Sequence, residues 1–338
     1  MMNNTQFGQV TAIPFSGATQ SGPSPYTTLP SDTYFPFQWH LYNTGQTGGL
    51  AGIDLNVLPV WQDYTGSGVT IAVIDDGFDL HHPDLAVNFD LVNDWDARDT
   101  DNDPSYANGD EHGTAVAGVI AADDNGTGVV GVAPDATLSG IRIGYGVDFQ
   151  IWDLDDAMGR MGDFDIVNNS WGFSGSFSDD RANPFFANTF PAIADAAANG
   201  RGGLGTTILF AAGNSRASGD NSNYHNLLND TQTIAVGAIN ASGVYAGFSN
   251  KGANILTSAP GQAVLTTDVE GADGYLPGDI VNISGTSFST PAVAGVVALM
   301  LEANNQLGYR DIQEILANAS RQIDAGYPDW QVNGASHW

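Results

Sequence analysis

The chain has 338 residues, with 38 acidic against nine basic side chains for a formal charge of −29 at pH 7. That excess excludes nucleic acid and anionic membrane surfaces as partners, and it suits the binding of cations and basic substrates. There is no cysteine, which excludes disulfides and thiol catalysis.

Residues 1–31 are rich in Thr, Ser, Gly and Pro and predict an extended arm or linker with little core of its own. Met1-Met2-Asn3-Asn4 has neither the charged nor the apolar region of a signal peptide. The first apolar run, Val69–Ile74, predicts a buried strand and leaves Asp75 at its carboxyl end. In open parallel α/β sheets, ligands and catalytic side chains gather there. Next come Asp96, Asp99, Asp101 and Asp103 in WDARDTDNDP. Their alternation resembles a calcium-binding EF-hand loop, but Pro104 stands where such a loop needs glycine, and flanking helical patterns are missing. A helical pattern at 112–122 opens on His112, in EHGTAVAG.

Strands are predicted at 137–143 and 164–168, the second followed by Ser170-Trp171-Gly172. A helix at 185–199 precedes a strand at 206–212, and Asn214 lies just beyond it in AAGN. Strands at 232–237 and 263–267 and helices at 289–304 and 309–319 complete the pattern. This alternation predicts one α/β domain with a parallel sheet. There is no internal repeat, heptad pattern or membrane-spanning run.

The most informative stretch is Gly285-Thr286-Ser287-Phe288-Ser289-Thr290-Pro291, followed by the small-residue run AVAGVVALM. A serine hydroxyl becomes a nucleophile only when a base takes its proton and a fixed donor receives the oxyanion. The glycine permits close backbone approach, and a following helix lends its positive end. His112 supplies a base, Asp75 an orienting carboxylate and Asn214 a side-chain donor.

The order Asp75, His112, Asn214, Ser287 in these settings resembles the subtilisin-like serine proteases, from about Asp32 to the C-terminus. Within them the chain is most similar to the kexin/furin-like branch, through YFPFQWHLYNTGQ, IDDGFDLHHPDL, NNSWG, GRGGLG and LEANNQLGYRDIQEIL. The resemblance implies a three-layer fold with a mainly parallel central sheet flanked by helices. It also implies a secreted, cell-surface or periplasmic serine endopeptidase that cleaves polypeptides after basic residues. Ser287 would attack, His112 would relay the proton, and Asp75 would hold the imidazole. Asn214 and the Ser287 amide would bind the oxyanion. Ser170, Trp171 and Gly172 would wall the substrate cleft, and Asp76 would face a basic side chain or else cap the turn before Gly77. Of the acids that resemblance expects near the cleft, Asp179 or Asp180 and Asp220 are available, with Ser222 or Asn223 standing for another.

Calcium is the implied cofactor, at a first site built from Asp32, Asp84, Asp123, Asn125, Thr127 and Val129, with backbone carbonyls of the DDNGTGV loop. A second site would use Asp96, Asp101 and Asp103, and a third Asp220. The resemblance further implies a catalytic domain over 32–338 that lacks its last helix, a prodomain and a β-sandwich domain. A prodomain or inhibitor would then be a partner. A non-catalytic calcium-binding scaffold, or an inactive fragment, is the competing reading. An α/β-hydrolase is disfavoured because Ser287 lacks the Gly-x-Ser-x-Gly elbow.

Overall fold

The strand β1, Thr70–Asp75, is buried at every position but the first. Both of its faces are covered, so its sequence is a continuous run of Ile, Ala and Val rather than a polar alternation. Alternate side chains serve two separate cores. Ile71 and Val73 pack with one helical layer, and Ala72 and Ile74 with the other. This computed structural model describes residues 9–10, 29–324 and 326. Most of the predicted arm at 1–31, and the segment 327–338, lie outside the described residues.

Beside β1 run β2 (Trp95–Asp96), β3 (Thr137–Arg142), β4 (Ile166–Asn169), β5 (Thr207–Ala211), β6 (Thr233–Ile239) and β7 (Ile255–Pro260). They form one sheet in the order β2-β3-β1-β4-β5-β6-β7, and every pairing is parallel. The chain builds leftward from β1 to β3 and then crosses to β4. The carboxyl ends of β1 and β4 therefore flank a topological switch point, where open α/β sheets leave a crevice. Asp75 ends β1, and Ser170 directly follows β4.

One helical layer holds α1 (His112–Ala121), α5 (Thr286–Ala303) and α6 (Tyr309–Ala319). The other holds α2 (Ile151–Gly159) and α3 (Thr189–Gly203), with the short α4 (Asn226–Asn229) near the edge of the second core. This is the expected three-layer α/β fold. Helix α3 has non-helical backbone from Gly200 to Gly202, so its regular part ends where the sequence predicts, at 199. Helix α5 is apolar enough by length and composition to cross a membrane, yet 78% of it is buried inside the protein. Its amphipathicity is weak because it is a core helix with neighbours on all sides.

Two expectations change. The run at 263–267 does not join the parallel sheet. It belongs to β8 (Val264–Gly271), which pairs antiparallel with β9 (Gly278–Ile283) in a separate hairpin. That hairpin packs on α1, where a Cβ at Gly118 would stand 2.1 Å from Thr267 Oγ1. The predicted start of α5 at 289 moves back to Thr286, which makes Ser287 a residue of its first turn.

Candidate active site

The carboxyl end of β1 delivers Asp75 to the first residue of α1, and His112 Nδ1 lies 2.8 Å from Asp75 Oδ1. Both side chains are buried. The same carboxylate oxygen accepts from the Asp76 amide at 2.9 Å and the Tyr145 hydroxyl at 3.3 Å. A carboxylate with several donors on one oxygen is held in orientation, and an imidazole facing it at Nδ1 carries Nε2, buried here, on the side away from the carboxylate. Tyr145 was not foreseen. Burial, followed by the Asp75 charge, keeps its phenol well above the ordinary range, so it serves as a neutral donor.

Asp76 accepts from the backbone amides of Gly113 at 2.8 Å and His112 at 3.3 Å. It thus satisfies orphan donors at the start of α1 and sets where His112 emerges. It is 2% exposed, and burial together with the Asp75 charge holds its carboxyl well above the usual range. Its observed bonds are those of a cap.

Ser287 sits in the first turn of α5 and donates to the Ser170 carbonyl at 3.0 Å, while the Ser170 hydroxyl donates to the Ser287 carbonyl at 2.8 Å. This exchange has a cause in the sequence. Pro291 has no N–H for the carbonyl four residues before it, which is that of Ser287. The Ser170 hydroxyl fills the gap and ties α5 to the end of β4. Phe288, fully buried, sets its ring 5.6 Å from that of His112, bringing the start of α5 against the start of α1.

Asn214 enters from the loop after β5. Its Oδ1 accepts from the Thr286 amide at 2.8 Å and the Thr286 hydroxyl at 2.9 Å. An amide N–H can only donate, so this contact fixes which end of the side chain is oxygen, and the Nδ2 end is then turned the other way. Gly213, with φ at +98°, makes the turn and donates to Thr286 Oγ1 at 3.1 Å. The structure therefore gathers Asp75, His112, Asn214 and Ser287 from four separate elements.

A cleft beside Ser287 and Asn214 is lined by Ser170, Trp171 and Gly172, as expected, with aromatic walls from Phe173 and Phe210. Asp179, Asp220, His225 and Asn250 also line it. Asp179 is buried, whereas Asp180 is exposed and caps Ala182. Ser222 and Asn223 are not on the lining. His225 is, and no signal in the sequence separates it from the surrounding polar loop. Asp220 bonds His225 at 3.1 and 3.2 Å and Asn250 at 2.9 Å, a neighbourhood of donors that does not fit a third metal site.

The acidic clusters divide. Asp32 and Asp84 are both buried and meet the same loop. Gly126 donates to Asp32 Oδ1 at 3.3 Å, and Val129 and Asn125 donate to Asp84 at 2.9 and 3.2 Å. Asp32 Oδ2 is buried with no hydrogen-bond partner among the described residues. Burial, then Asp124, pushes Asp32 up to about 7, and burial also raises Asp84. Gly128, at φ +54°, leaves space that a Cβ would take 1.8 Å from Asp84 Oδ2. Asn125 turns its amide nitrogen to Asp84 and its oxygen to Thr127, so the hard donors that face this loop are the two buried carboxylates, one of them with an orphaned oxygen, a partial set of the kind calcium takes.

The second proposed set is different, because a cation is already present. Arg142 reaches Asp96 at 2.7 Å, Asp99 at 3.2 Å and Asp110 at 2.9 Å, and its Nε donates to the Asp76 carbonyl at 3.1 Å. The other Asp96 oxygen caps Arg98 and Asp99. Asp101 and Asp103 are exposed and bond their own loop. Among the described residues, the only compact trio of acidic or imidazole groups is Asp75, Asp76 and His112, so neither the Asp32–Asp84 set nor this one supplies such a trio. Asp96, Asp101 and Asp103 are not so assembled, because Asp96 neutralises a buried guanidinium.

Comparison with known proteins gives the family and the fold. The chain is 36% identical over 325 residues to PC3-like endoprotease variant B of Hydra vulgaris, covering 91% of this chain and 44% of that one. It is 32% identical to human furin over 322 residues, 90% of this chain and 38% of furin. The chain thus spans less than half the length of these relatives. Among solved structures, the serine protease of Aeromonas sobria in complex with the chaperone ORF2 superposes with a TM-score of 0.83 at 27% identity, over 96% of this chain and 63% of that one. A protease of Pseudoalteromonas arctica gives 0.74 at 30% identity, over 88% and 94%. The model of the subtilase family of peptidases matches residues 66–335, and the chain belongs to that family.

Proposed function

We propose that the chain is a calcium-stabilised serine endopeptidase with 32–338 as its catalytic domain. The observation that carries this reading is the buried Asp75–His112 contact at 2.8 Å, set beside Ser287 at the start of α5. His112 Nε2 takes the Ser287 proton as Oγ leaves the Ser170 carbonyl and attacks the scissile carbonyl carbon. Asp75 holds the Nδ1 proton and stabilises the imidazolium, and the proton then passes to the leaving amine. The negative oxygen is received by Asn214 Nδ2 and the Ser287 amide, with the positive end of α5 adding to the field. Water repeats the sequence on the acyl-enzyme and frees Ser287.

The extended substrate pairs with the Ser170–Gly172 segment as an added strand, supported by its place on the cleft wall. Asp32, Asp84, Asn125 and the carbonyls of the 123–129 loop would hold calcium, and the ion would supply the charge that neutralises the two buried carboxylates. Secretion fits a chain that uses calcium and has no thiols. A folding partner, either a prodomain or a chaperone, is consistent with the chaperone bound to the Aeromonas sobria protease.

The test is hydrolysis of a fluorogenic peptide panel by the chain and by Ser287→Ala, with calcium and with chelator. Turnover should vanish in the variant and fall in chelator. A folded, calcium-bound chain that neither cleaves any peptide nor reacts with a fluorophosphonate would refute the reading.

A further inference from the structure

Asp179 and Asp220 both line the cleft beside Ser287, and each is fixed from a second side. Asp179 Oδ2 accepts from the Leu227 amide at 2.8 Å, and Asp220 Oδ2 from Asn250 Nδ2 at 2.9 Å. The His225 ring lies between them. Its Nε2 is 3.1 and 3.2 Å from the two Asp220 oxygens, and its Nδ1 is 3.3 Å from Asp179 Oδ1. A neutral imidazole has one N–H, so one of these carboxylates would face a nitrogen lone pair. Only the imidazolium offers a donor to both. The ring is 6% exposed, and water does little to screen these contacts. Burial alone would lower its pKa, but the hydrogen bonds and charges of Asp179 and Asp220 outweigh burial and raise it.

We propose that His225 is a specificity-determining residue that acts as a resident cation in the substrate side-chain pocket, turning preference from arginine or lysine toward an uncharged apolar side chain. The inference rests on the reading of Ser287 as the nucleophile of a peptidase, and it names the substrate class of that site. The charge count supports it. Two carboxylates alone would give the pocket a charge of −2, the pair suited to a guanidinium fork. With the imidazolium the pocket carries −1; Asp220 is hydrogen-bonded to the ring, and Asp179 Oδ1 lies within ion-pair distance of it without a hydrogen bond. An entering guanidinium would share them with a positive ring in contact with each. Trp171, Phe173, Phe210 and Leu227 add apolar walls beside the polar residues of the pocket. Such a surface is suited to a leucine, phenylalanine or methionine side chain.

The experiment compares the wild type with His225→Gln and His225→Lys. One readout is kcat/KM on peptides that differ only in Leu, Phe, Arg or Lys before the scissile bond. The other is calorimetric binding of benzamidine, an amidinium cation, to each protein in a Ser287→Ala background. The wild type should favour Leu or Phe. His225→Gln should raise the Arg-to-Leu ratio and the benzamidine affinity by about tenfold or more, the effect of removing one like charge in contact. His225→Lys restores a cation and should return both readouts toward the wild type. A wild type that prefers Arg, or a His225→Gln chain with unchanged ratio and benzamidine affinity, overturns the proposal. If no peptide is cleaved, the peptidase reading fails, and benzamidine binding alone decides the role of His225. If His225→Gln does not fold, the wild-type preference and the Lys variant decide it.

Discussion

Thr286→Val tests how Asn214, the proposed oxyanion donor, is held. Thr286 is fully buried, and its hydroxyl both donates to Asn214 Oδ1 at 2.9 Å and accepts from the Gly213 amide at 3.1 Å. Valine keeps the shape and removes both bonds. Asn214 Oδ1 keeps the Thr286 amide at 2.8 Å. Removing a side-chain oxyanion donor outright costs about 2.7–4 kcal/mol in kcat. Loosening it by the lost hydroxyl contact should cost on the order of 1–2 kcal/mol, roughly five- to thirtyfold. KM should change little, since the lost contact acts in the transition state. The orphaned Gly213 amide should lower stability by about 1–3 kcal/mol, read by denaturant unfolding in a Ser287→Ala background. The decisive assay is a double-mutant cycle with Asn214→Ala. Thr286→Val should cost almost nothing further in kcat once Asn214 is gone. An equal loss in both backgrounds would show that Thr286 does not act through Asn214, and the positioning argument would fail.

Other perturbations probe the remaining parts. Asp75→Asn should lower kcat by about 10⁴ while leaving the fold intact, because the imidazole is then held in the wrong tautomer; turnover near the wild-type level would reject the relay. Calcium at 100 times its Kd should stabilise the chain by about 2.7 kcal/mol, read as a higher Tm than in chelator. Gly128→Ala places a methyl on Asp84 and should abolish that difference, so an unchanged calcium shift in the variant would discard the site. Arg142→Met leaves Asp96 buried without its cation and should destabilise by about 3–5 kcal/mol, with no rescue by added calcium. Rescue would restore the metal reading of Asp96. His40 is buried with neither ring nitrogen partnered among the described residues, and burial lowers its pKa to about 3. Between pH 3 and its unfolded value of about 6.5 the unfolded chain takes up a proton that the folded chain does not, so stability should be lost as pH falls through that window. A His40→Leu chain should show a flatter acid limb in its Tm-against-pH profile, and an unchanged limb would count against the argument.

The residues of the candidate site are legible in the sequence wherever a residue type is tied to a local pattern. Asp75 stands at the end of an apolar run, His112 opens a small-residue helix, and Ser287 sits in a glycine–proline turn. Each setting has a backbone reason that nearby residues reveal. Pro291 even announces that the Ser287 carbonyl needs an outside donor, though only the fold identifies it as Ser170. The α/β layering was equally readable, because strands covered on both faces leave continuous apolar runs, as in Val69–Ile74.

What the sequence left open depends on which distant charges meet. Asp32 and Asp96 look alike as acids in polar loops. One is buried with an orphaned oxygen, and the other is paired with Arg142 from a strand 46 residues away. His225 lies in a loop of Ser, Asn and Gly and gains its role only when the fold brings Asp179 and Asp220 to its two nitrogens. The run at 263–267 was recognisable as a strand, but hairpin pairing with β9 rather than sheet membership is decided by its partner. Local propensity and turn chemistry act over a few residues, and the chain states them directly. Charge compensation and strand partnership act through space, and the tertiary structure decided them.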